Sequence, residues 1–394
     1  MNVFEQNRAT LRQGSDFPII LTGFDKLQRV NDSAYEFTQE ANFWYLTGIE
    51  EAGWRLIIDS NKSTLVAPNI DEIHHIFEGG LSRDEAQRIS GIDEIVSTEE
   101  GEALLKQLSE TYDTVMTLGK DPHSVHYDFT LNPAAPLLLK KLKKLFKNVE
   151  DIRIPLAKLR AIKQPSEQVL IQQAIDISIQ AFESLHDTLQ LKQQEYQLEA
   201  DLSHSFRYAG ASGHAYDPIV ASGKNACTLH YGKNMDELPE NGLVLIDAGA
   251  RYGNYAADIT RTYAIGTPTD RQKSVHAAVE KAHHKIIALI APGLSVKTYS
   301  EKVDEIMKDA LRSVDLLKTK DDYRRYFPHA ISHGLGIDVH DSLGGTKELQ
   351  VGMILTVEPG IYIPEEGIGV RIEDDILVTD DGHVNLSGKL STAL

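Results

Sequence analysis

The sequence predicts an α/β (α+β) protein of two domains, and three observations carry that prediction. Short apolar runs alternate with helical stretches through the first part of the chain. Two prolines, Pro155 and Pro165, punctuate a join near residues 151–165. After the join, helix pairs alternate with β-rich stretches. The expected division is residues 1–155 and residues 156–394, and a chain of 394 residues can bury a core in each.

In the first domain, Arg55–Asp59 and Ser63–Ala67 read as adjacent strands, Thr98–Leu108 as a helix and Asp113–Leu118 as another strand. A helix follows that contains the lysine-rich run 140–147. That run is either a nucleic-acid or membrane patch or the solvated face of an amphipathic helix, with Leu138, Leu142 and Leu145 turned inward. The acidic balance of the chain favours the solvated face. Past the join, a long helix starts at Pro165-Ser166-Glu167, with proline in its first turn and an acid beside it. Leu170, Ala174, Ile177, Ala181 and Leu185 keep a stripe down one side. A second amphipathic helix covers Gln194 to Tyr208, a β-rich stretch residues 216–265, and two more helices Asp270–Ile290 and Val296–Leu311. The remaining residues are β-rich again, so the second domain reads as a structural duplication.

Composition excludes several function classes. A net charge of −18 argues against nucleic acid or an anionic membrane as partner. The single Cys227 rules out an intrachain disulfide framework. The first residues, Met1 to Arg8, carry no apolar signal-like run, and no stretch is long and apolar enough to span a bilayer, so a cytoplasmic protein is expected.

Two pairs of acids carry the chemistry. Asp247 ends the apolar run Leu243–Ile246 and Asp258 lies in the segment after it; Glu358 follows Met353–Val357 and Glu373 lies in the segment after that. If each segment pair is a simple hairpin, Asp247 faces Asp258 across a turn centred between Tyr252 and Gly253. Glu358 then faces Glu373 across a turn centred between Glu365 and Glu366. Facing Cβ atoms lie roughly 4.5–5.5 Å apart, where like charges destabilise the pair. Two divalent cations between the acids offset that repulsion, so the chain reads as a two-metal hydrolase.

His333, in Ser332-His333-Gly334, is the natural nitrogen ligand. A carboxylate-rich set with one imidazole suits Mn²⁺ first, with Co²⁺, Zn²⁺ and Fe²⁺ as alternatives. Arg371 shares a strand face with Glu373 and either orients a carboxylate ligand or forms a surface ion pair. His230, His329 and His340 either polarise substrate and shuttle protons or are satisfied core or surface histidines. His74, His75, His283 and His284 read as exposed and carry no role. The sequence has no phosphate-binding glycine loop and no Gly-x-Ser-x-Gly elbow.

The contexts LIDAGA, ADITRT, SHGLG, TVEPG and RIEDD around the five candidate ligands resemble those of the pita-bread metallopeptidases. ANFWYLTG at 41–48, YDPIVASG at 216–223, LHY at 229–231 and HAISHGLGIDVHD at 329–341 resemble the aminopeptidase P (Xaa-Pro aminopeptidase) branch. VEPGIYI at 357–363 and GIGVRIEDD at 367–375 complete the set. The resemblance implies a creatinase-like N-terminal domain and a pita-bread catalytic domain. It also implies two Mn²⁺ ions and a metal-bridging hydroxide that attacks the bond between an N-terminal residue and a following proline. Asp247 would chelate one ion, His333 the other, and Asp258 and Glu373 both. Glu358 would ligate and act as general base, and His230, His329 and His340 would contact substrate and the tetrahedral intermediate. Tyr362 and Arg371 would support the ligands from behind.

The resemblance implies peptide substrates with proline second and a homodimer or homotetramer. Family members carry a Trp-Phe pair in an N-terminal loop that reaches a neighbouring subunit's site; the matching stretch Asp71–Leu81 has Ile76 before Phe77. The segment after Glu373 is also shorter than the family pattern, an expected change in assembly. The rival readings are a prolidase confined to Xaa-Pro dipeptides, a methionine aminopeptidase, a metal-free amidinohydrolase and a non-catalytic binding protein on the same fold. The first two share the ligands. The last two are disfavoured by the presence of all five.

Overall fold

The structure, a computed structural model, describes residues 2–120 and 130–394, without the side chains of Glu72 and His74. Two compact units divide it, Met1–Leu159 and Arg160–Leu394.

The N-terminal unit runs α1 (Val3–Gln13), β1 (Ile19–Thr22), β2 (Gln28–Val30), β3 (Ser33–Ala34), α2 (Ala41–Thr47), β4 (Arg55–Ile58), β5 (Ser63–Val66), α3 (Glu72–Glu78) and α4 (Arg83–Ser90). It continues with β6 (Glu94–Val96), α5 (Thr98–Thr111), β7 (Thr114–Thr117), α6 (Ala134–Leu145), β8 (Asn148–Asp151) and the start of α7 (Arg153–Ala161). Six strands form a mixed sheet in the order β6-β5-β4-β1-β7-β8. The expected neighbours β4 and β5 are antiparallel, with Arg55 opposite Val66. Leu105 and Leu108 of α5 and Leu138 and Leu142 of α6 pack with Ile20, Ile57, Val66 and Val115 of the sheet. Leu145 is half-buried, while Lys140, Lys143 and Lys144 face solvent, so the lysine run is the outer face of an amphipathic helix. Helices α1, α2, α4 and α7 have no counterpart in the sequence reading, and α1 shows why. The buried residues of α1 are Asn7, Arg8 and Leu11, so no apolar stripe announces it. Arg8 instead donates to the Leu46 carbonyl at 2.7 Å.

The C-terminal unit twice follows a helix pair with a broken hairpin. First come α8 (Pro165–Thr188) and α9 (Glu195–Tyr208), then β9 (Gly213–His214), β10 (Ile219–Ser222), β11 (Gly242–Ala248), β12 (Ala250–Tyr252), β13 (Tyr255–Ala256) and β14 (Ile259–Ile265). Next come α10 (Asp270–Ile287), α11 (Val296–Ser313) and the short α12 (Asp322–Tyr326). β15 (Ile354–Val357), β16 (Gly360–Ile363), β17 (Ile368–Arg371), β18 (Asp374–Thr379) and β19 (Gly382–Asn385) end the chain order. Pro165 stands at the head of α8, where a missing N–H costs nothing, and the Glu167 side chain caps the Gln164 N–H at 2.9 Å. Its stripe is buried at Ala174, Ile177, Ala181 and Leu185 and half-buried at Leu170. Val279, Ile286, Val303 and Met307 from α10 and α11 share a core with Leu355, Val357 and Ile376. His283 corrects the sequence reading: it sits inside α10 at 0% exposure, whereas His284 is exposed.

Both hairpins break at the same place, and the acids gather at the breaks. The first hairpin parts between β11 and β12 and between β13 and β14; the second parts between β15 and β16 and between β17 and β18. The second register is the expected one, with Val357 opposite Asp374 and Gly360 opposite Arg371, so Glu358 and Glu373 bracket the gap. The first register is shifted by two. Asp247 faces Thr260 rather than Asp258, because the turn is Gly253-Asn254, with φ of 54° and 66°. Two positive φ values define the two-residue hairpin turn whose twist matches its strands. A shift of two preserves the face, so Asp258 stays on the side of Asp247.

Gly249 makes the first break possible: a Cβ there would lie 1.7 Å from the Ala257 carbonyl oxygen. Gly249→Ala is expected to destabilise the protein by at least about 2 kcal/mol. Gly232→Ala, whose Cβ would meet nothing within 4 Å, is expected to change stability by under about 1 kcal/mol. Chemical denaturation of both variants checks this.

Candidate active site

A cavity of about 520 Å³ opens over the broken hairpins. Nine of the ten candidate residues line it: Asp247, Asp258, His333, Glu358, Glu373, His230, His329, His340 and Arg371. The tenth, Tyr362, lies behind the wall at 2% exposure, with its hydroxyl 2.9 Å from His329 Nε2. A larger concavity of about 840 Å³ in the N-terminal unit is lined by Trp54, Pro68, Ile70 and Leu81 among others. It lacks the facing carboxylates, so the chemistry belongs to the smaller cavity.

The acids are close and dry. Asp247, Asp258 and Glu373 are 8%, 5% and 2% exposed. Ligand atoms of Asp258, His333 and Glu373 lie within 4.8 Å of one another. His333 Nε2 sits 3.4 Å from Asp258 and 3.6 Å from Glu358. Its other nitrogen, Nδ1, lies 3.0 Å from the Gly334 carbonyl, and donating there leaves the Nε2 lone pair facing two carboxylates. A proton on Nε2 or a bound cation satisfies that arrangement, and an imidazole anchored through its far nitrogen suits metal ligation.

Arg371 braces a candidate carboxylate ligand, as its place on the strand suggested. Its guanidinium donates to Asp247 Oδ2 at 2.5 Å, to the Tyr362 hydroxyl at 2.9 Å and to the Thr260 hydroxyl at 3.1 Å. Thr260 passes the contact on, donating to Glu373 Oε2 at 2.7 Å. It also bridges the two hairpins through its backbone, accepting the Glu373 N–H at 3.0 Å.

Burial and mutual repulsion shift the titrations. Burial raises Asp247, against the pull of Arg371. Burial, joined by the charges of Asp258, Glu358 and Asp247, pushes Glu373 well above the carboxylate range. Burial lifts Glu358 to about 7, although His333 and Arg371 oppose it. For His333 burial acts downward, but the hydrogen bond and charge of Asp258 outweigh it and raise the group to about 9. His329 falls to about 3 through burial and the nearby Arg371 charge. Four carboxylates and one imidazole on a common cavity therefore fit the donor set of two divalent ions. Asp247, Asp258, His333, Glu358 and Glu373 are the residues that could hold them.

Several functional contacts escaped the sequence reading. The Tyr216 hydroxyl lies 2.5 Å from Asp247 and 2.6 Å from Asp258 and donates to that pair. Arg261, 1% exposed, donates to the carbonyls of Thr260 and Glu373 and pairs with Asp374 at 2.7 Å, clamping the junction of the hairpins. The Thr356 hydroxyl lies between the His333 N–H and Glu358 Oε1. Tyr216 and Arg261 stood in the quoted motifs, but nothing in their spacing pointed to these partners. The two residues compared with the family's Trp-Phe pair, Ile76 and Phe77, lie on α3 at 73% and 80% exposure. His75 is exposed as expected, and the side chain of His74 falls outside the described residues.

A two-domain fold whose second unit gathers acids and one histidine at two broken hairpins defines a metal-dependent hydrolase. The chain belongs to metallopeptidase family M24: the pattern of that family matches residues 169–380, and that of the aminopeptidase P N-terminal domain matches residues 4–116. It is similar to the Xaa-Pro aminopeptidase of Haemophilus influenzae, at 34% identity over 90% of this chain and 86% of the relative. It is also similar to the Xaa-Pro aminopeptidase of Escherichia coli, at 33% over 93% and 89%. Among solved structures, aminopeptidase P from E. coli with the inhibitor Pro-Leu superposes with a TM-score of 0.87 at 31% identity, covering 99% of this chain and 95% of that one. Proline aminopeptidase P II from Yersinia pestis gives 0.85 at 32%, covering 100% and 98%. The chain is thus a metal-dependent peptidase.

The raised titrations set a sign for metal binding. Folding raises Glu358 to about 7 and His333 to about 9, from unfolded values of about 4.3 and 6.5. Their contribution to metal-free stability is full below those unfolded values and is lost as pH climbs through the folded ones. A metal displaces the same protons, so its stabilisation grows with pH. The difference in thermal midpoint between metal-loaded and chelator-treated protein is expected to widen from pH 6 to pH 8. A constant or shrinking difference, measured by scanning calorimetry, contradicts this.

Proposed function

We propose that the chain is an Xaa-Pro aminopeptidase, removing the N-terminal residue from peptides whose second residue is proline. The observation that carries the reading is the convergence of Asp247, Asp258, His333, Glu358, Glu373 and His329 on one cavity. It is supported by relatives named Xaa-Pro aminopeptidase that match almost end to end. Two divalent ions held by the four acids and His333 would supply Lewis acidity toward the scissile carbonyl and lower the pKa of the attacking water.

The protein's own groups do the rest. Glu358 has its carboxylate at the cavity wall, 15% exposed, and its proton affinity is raised by burial; it takes the proton of the attacking water and returns it to the leaving imino nitrogen of proline. Tyr362, held by Arg371, keeps the His329 ring in place beside Glu358. His230 and His340 stand at the exposed rim, where imidazole donors meet the peptide carbonyls. Ile219, Leu229 and Val339 add an apolar wall suited to a pyrrolidine ring.

The same proposal carries Mn²⁺ as the resident ion, because hard carboxylates outnumber the imidazole. It also carries a cytoplasmic site of action and a homodimeric or homotetrameric assembly; metal analysis and sedimentation of the purified protein test the first and last.

Hydrolysis of Xaa-Pro-Xaa tripeptides beside Xaa-Pro dipeptides, by chelated protein with Mn²⁺ restored, tests the activity. Cleavage of tripeptides in preference to dipeptides is expected, and cleavage of dipeptides alone would make the chain a prolidase. Glu358→Gln is expected to lower kcat by at least about 10²-fold, and full activity in that variant removes Glu358 from its role.

A further inference from the structure

Glu195 opens α9 and is completely buried, at 0% exposure. Among the described residues no cation lies within ion-pair distance of it. Its oxygens instead accept five hydrogen bonds, two from Ser222 at the end of β10 and three from the segment that follows it. Oε1 accepts from the Ser222 N–H and the Ser222 hydroxyl, both at 2.8 Å, and from Asn225 Nδ2 at 3.1 Å. Oε2 accepts from the Tyr231 hydroxyl at 2.9 Å and from the Asp236 N–H at 3.0 Å. The Glu195 N–H donates to the Asp236 carbonyl at 3.0 Å and closes the ring through the backbone. A carboxylate taken out of water is costly unless donors replace the lost hydration. Here five donors and the positive end of a helix replace it.

The loop so gathered, residues 222–236, carries His230. That histidine is exposed at the rim of the cavity, and among the described residues no hydrogen bond holds its ring. Its place is set by its neighbours. Tyr231 is one residue away and bonded to Glu195. Asn234, buried with a φ of 49°, donates to Glu199 and to the Pro218 carbonyl and accepts the Val220 N–H, fixing the base of the loop. A bare stitch between α9 and β10 would need Ser222 alone, whereas Asn225, Tyr231 and Asp236 lie beyond the strand on the segment that carries His230.

We infer that Glu195 is a positioning residue for the reaction. It anchors the 222–236 loop, through Tyr231 above all, so that His230 is held over the cavity where the peptide backbone of the substrate passes. The inference rests on the peptidase reading, so the test separates the two.

The metal-loaded full chain is assayed with an Xaa-Pro tripeptide as wild type, Glu195→Gln, Tyr231→Phe, His230→Ala and the two double variants with His230→Ala. Hydrogen exchange is followed in each. Glu195→Gln and Tyr231→Phe are expected to lower kcat/KM by about 10- to 100-fold. With His230 already replaced, the further loss is expected to stay under about twofold, because the effects act through one group. Metal content stays unchanged, and amides of residues 222–236 exchange faster while those of α11 do not. Equal losses in both backgrounds, no loss in the single variants, or a His230→Ala variant of full activity overturns the inference. Should Glu195→Gln not fold, Tyr231→Phe carries the same cycle. If the wild type cleaves no Xaa-Pro peptide, the peptidase reading falls and exchange alone decides: unchanged exchange in 222–236 overturns the anchoring role.

Discussion

Four carboxylates brought together out of water are the constraint on which this fold turns. At about 5 Å and an effective dielectric near 20, each pair of unit charges repels by about 3 kcal/mol. Such repulsion is comparable to a large share of the net stability of a domain. The fold answers with fixed donors first. Arg371 binds Asp247, Tyr216 joins Asp247 to Asp258, and Thr260 caps Glu373. Burial still raises Asp247, Glu358 and Glu373, and repulsion among the acids adds to it. A pair of dications held there would offset that repulsion.

The breaks in the two hairpins follow from the same demand. A continuous ladder alternates its side chains above and below the sheet and holds them at fixed spacing. Interrupting it lets Asp258, Glu358 and Glu373 turn toward a common point. Each break then needs a local device. Gly249 lets the first hairpin approach the Ala257 carbonyl, and Pro359, which has no N–H to leave unpaired, sits in the second. Arg261 ties the breaks together by holding the carbonyls of Thr260 and Glu373 at once.

Most of this was legible in the chain where local rules act alone. The helix at Pro165 announced itself through proline, acid and an apolar stripe. The second hairpin could be registered from its turn, since residues 364–367 lie where pairing of Glu358 with Glu373 requires. The first hairpin was misregistered because the two positive-φ residues are Gly253 and Asn254, which place the turn one residue later than Tyr252-Gly253. His283 had a readable signal that went unused: it stands four residues after Val279 and three before Ile286, on their buried face. Helix α1 had none, since Asn7 and Arg8 line its buried side. Tyr216 was beyond local reading, for its partners lie 31 and 42 residues away.

The floor and the rim are held by different means. Asp247 sits on β11, and Asp258, Glu358 and Glu373 sit at the breaks where the paired strands part, whereas His230 and His340 sit on loops gathered by buried charges. Glu195 gathers the first loop. Asp341 gathers the second, accepting from Arg160 at 3.0 Å and Lys163 at 3.4 Å while its own N–H closes on the Gly334 carbonyl. Burial pushes the Lys163 ammonium below its usual range, against the pull of Asp341. His340 meets His333 edge to face, with ring centres 4.3 Å apart, so the second loop touches a candidate ligand directly. A change at Asp341 therefore bears on the ligand set as well as on the rim.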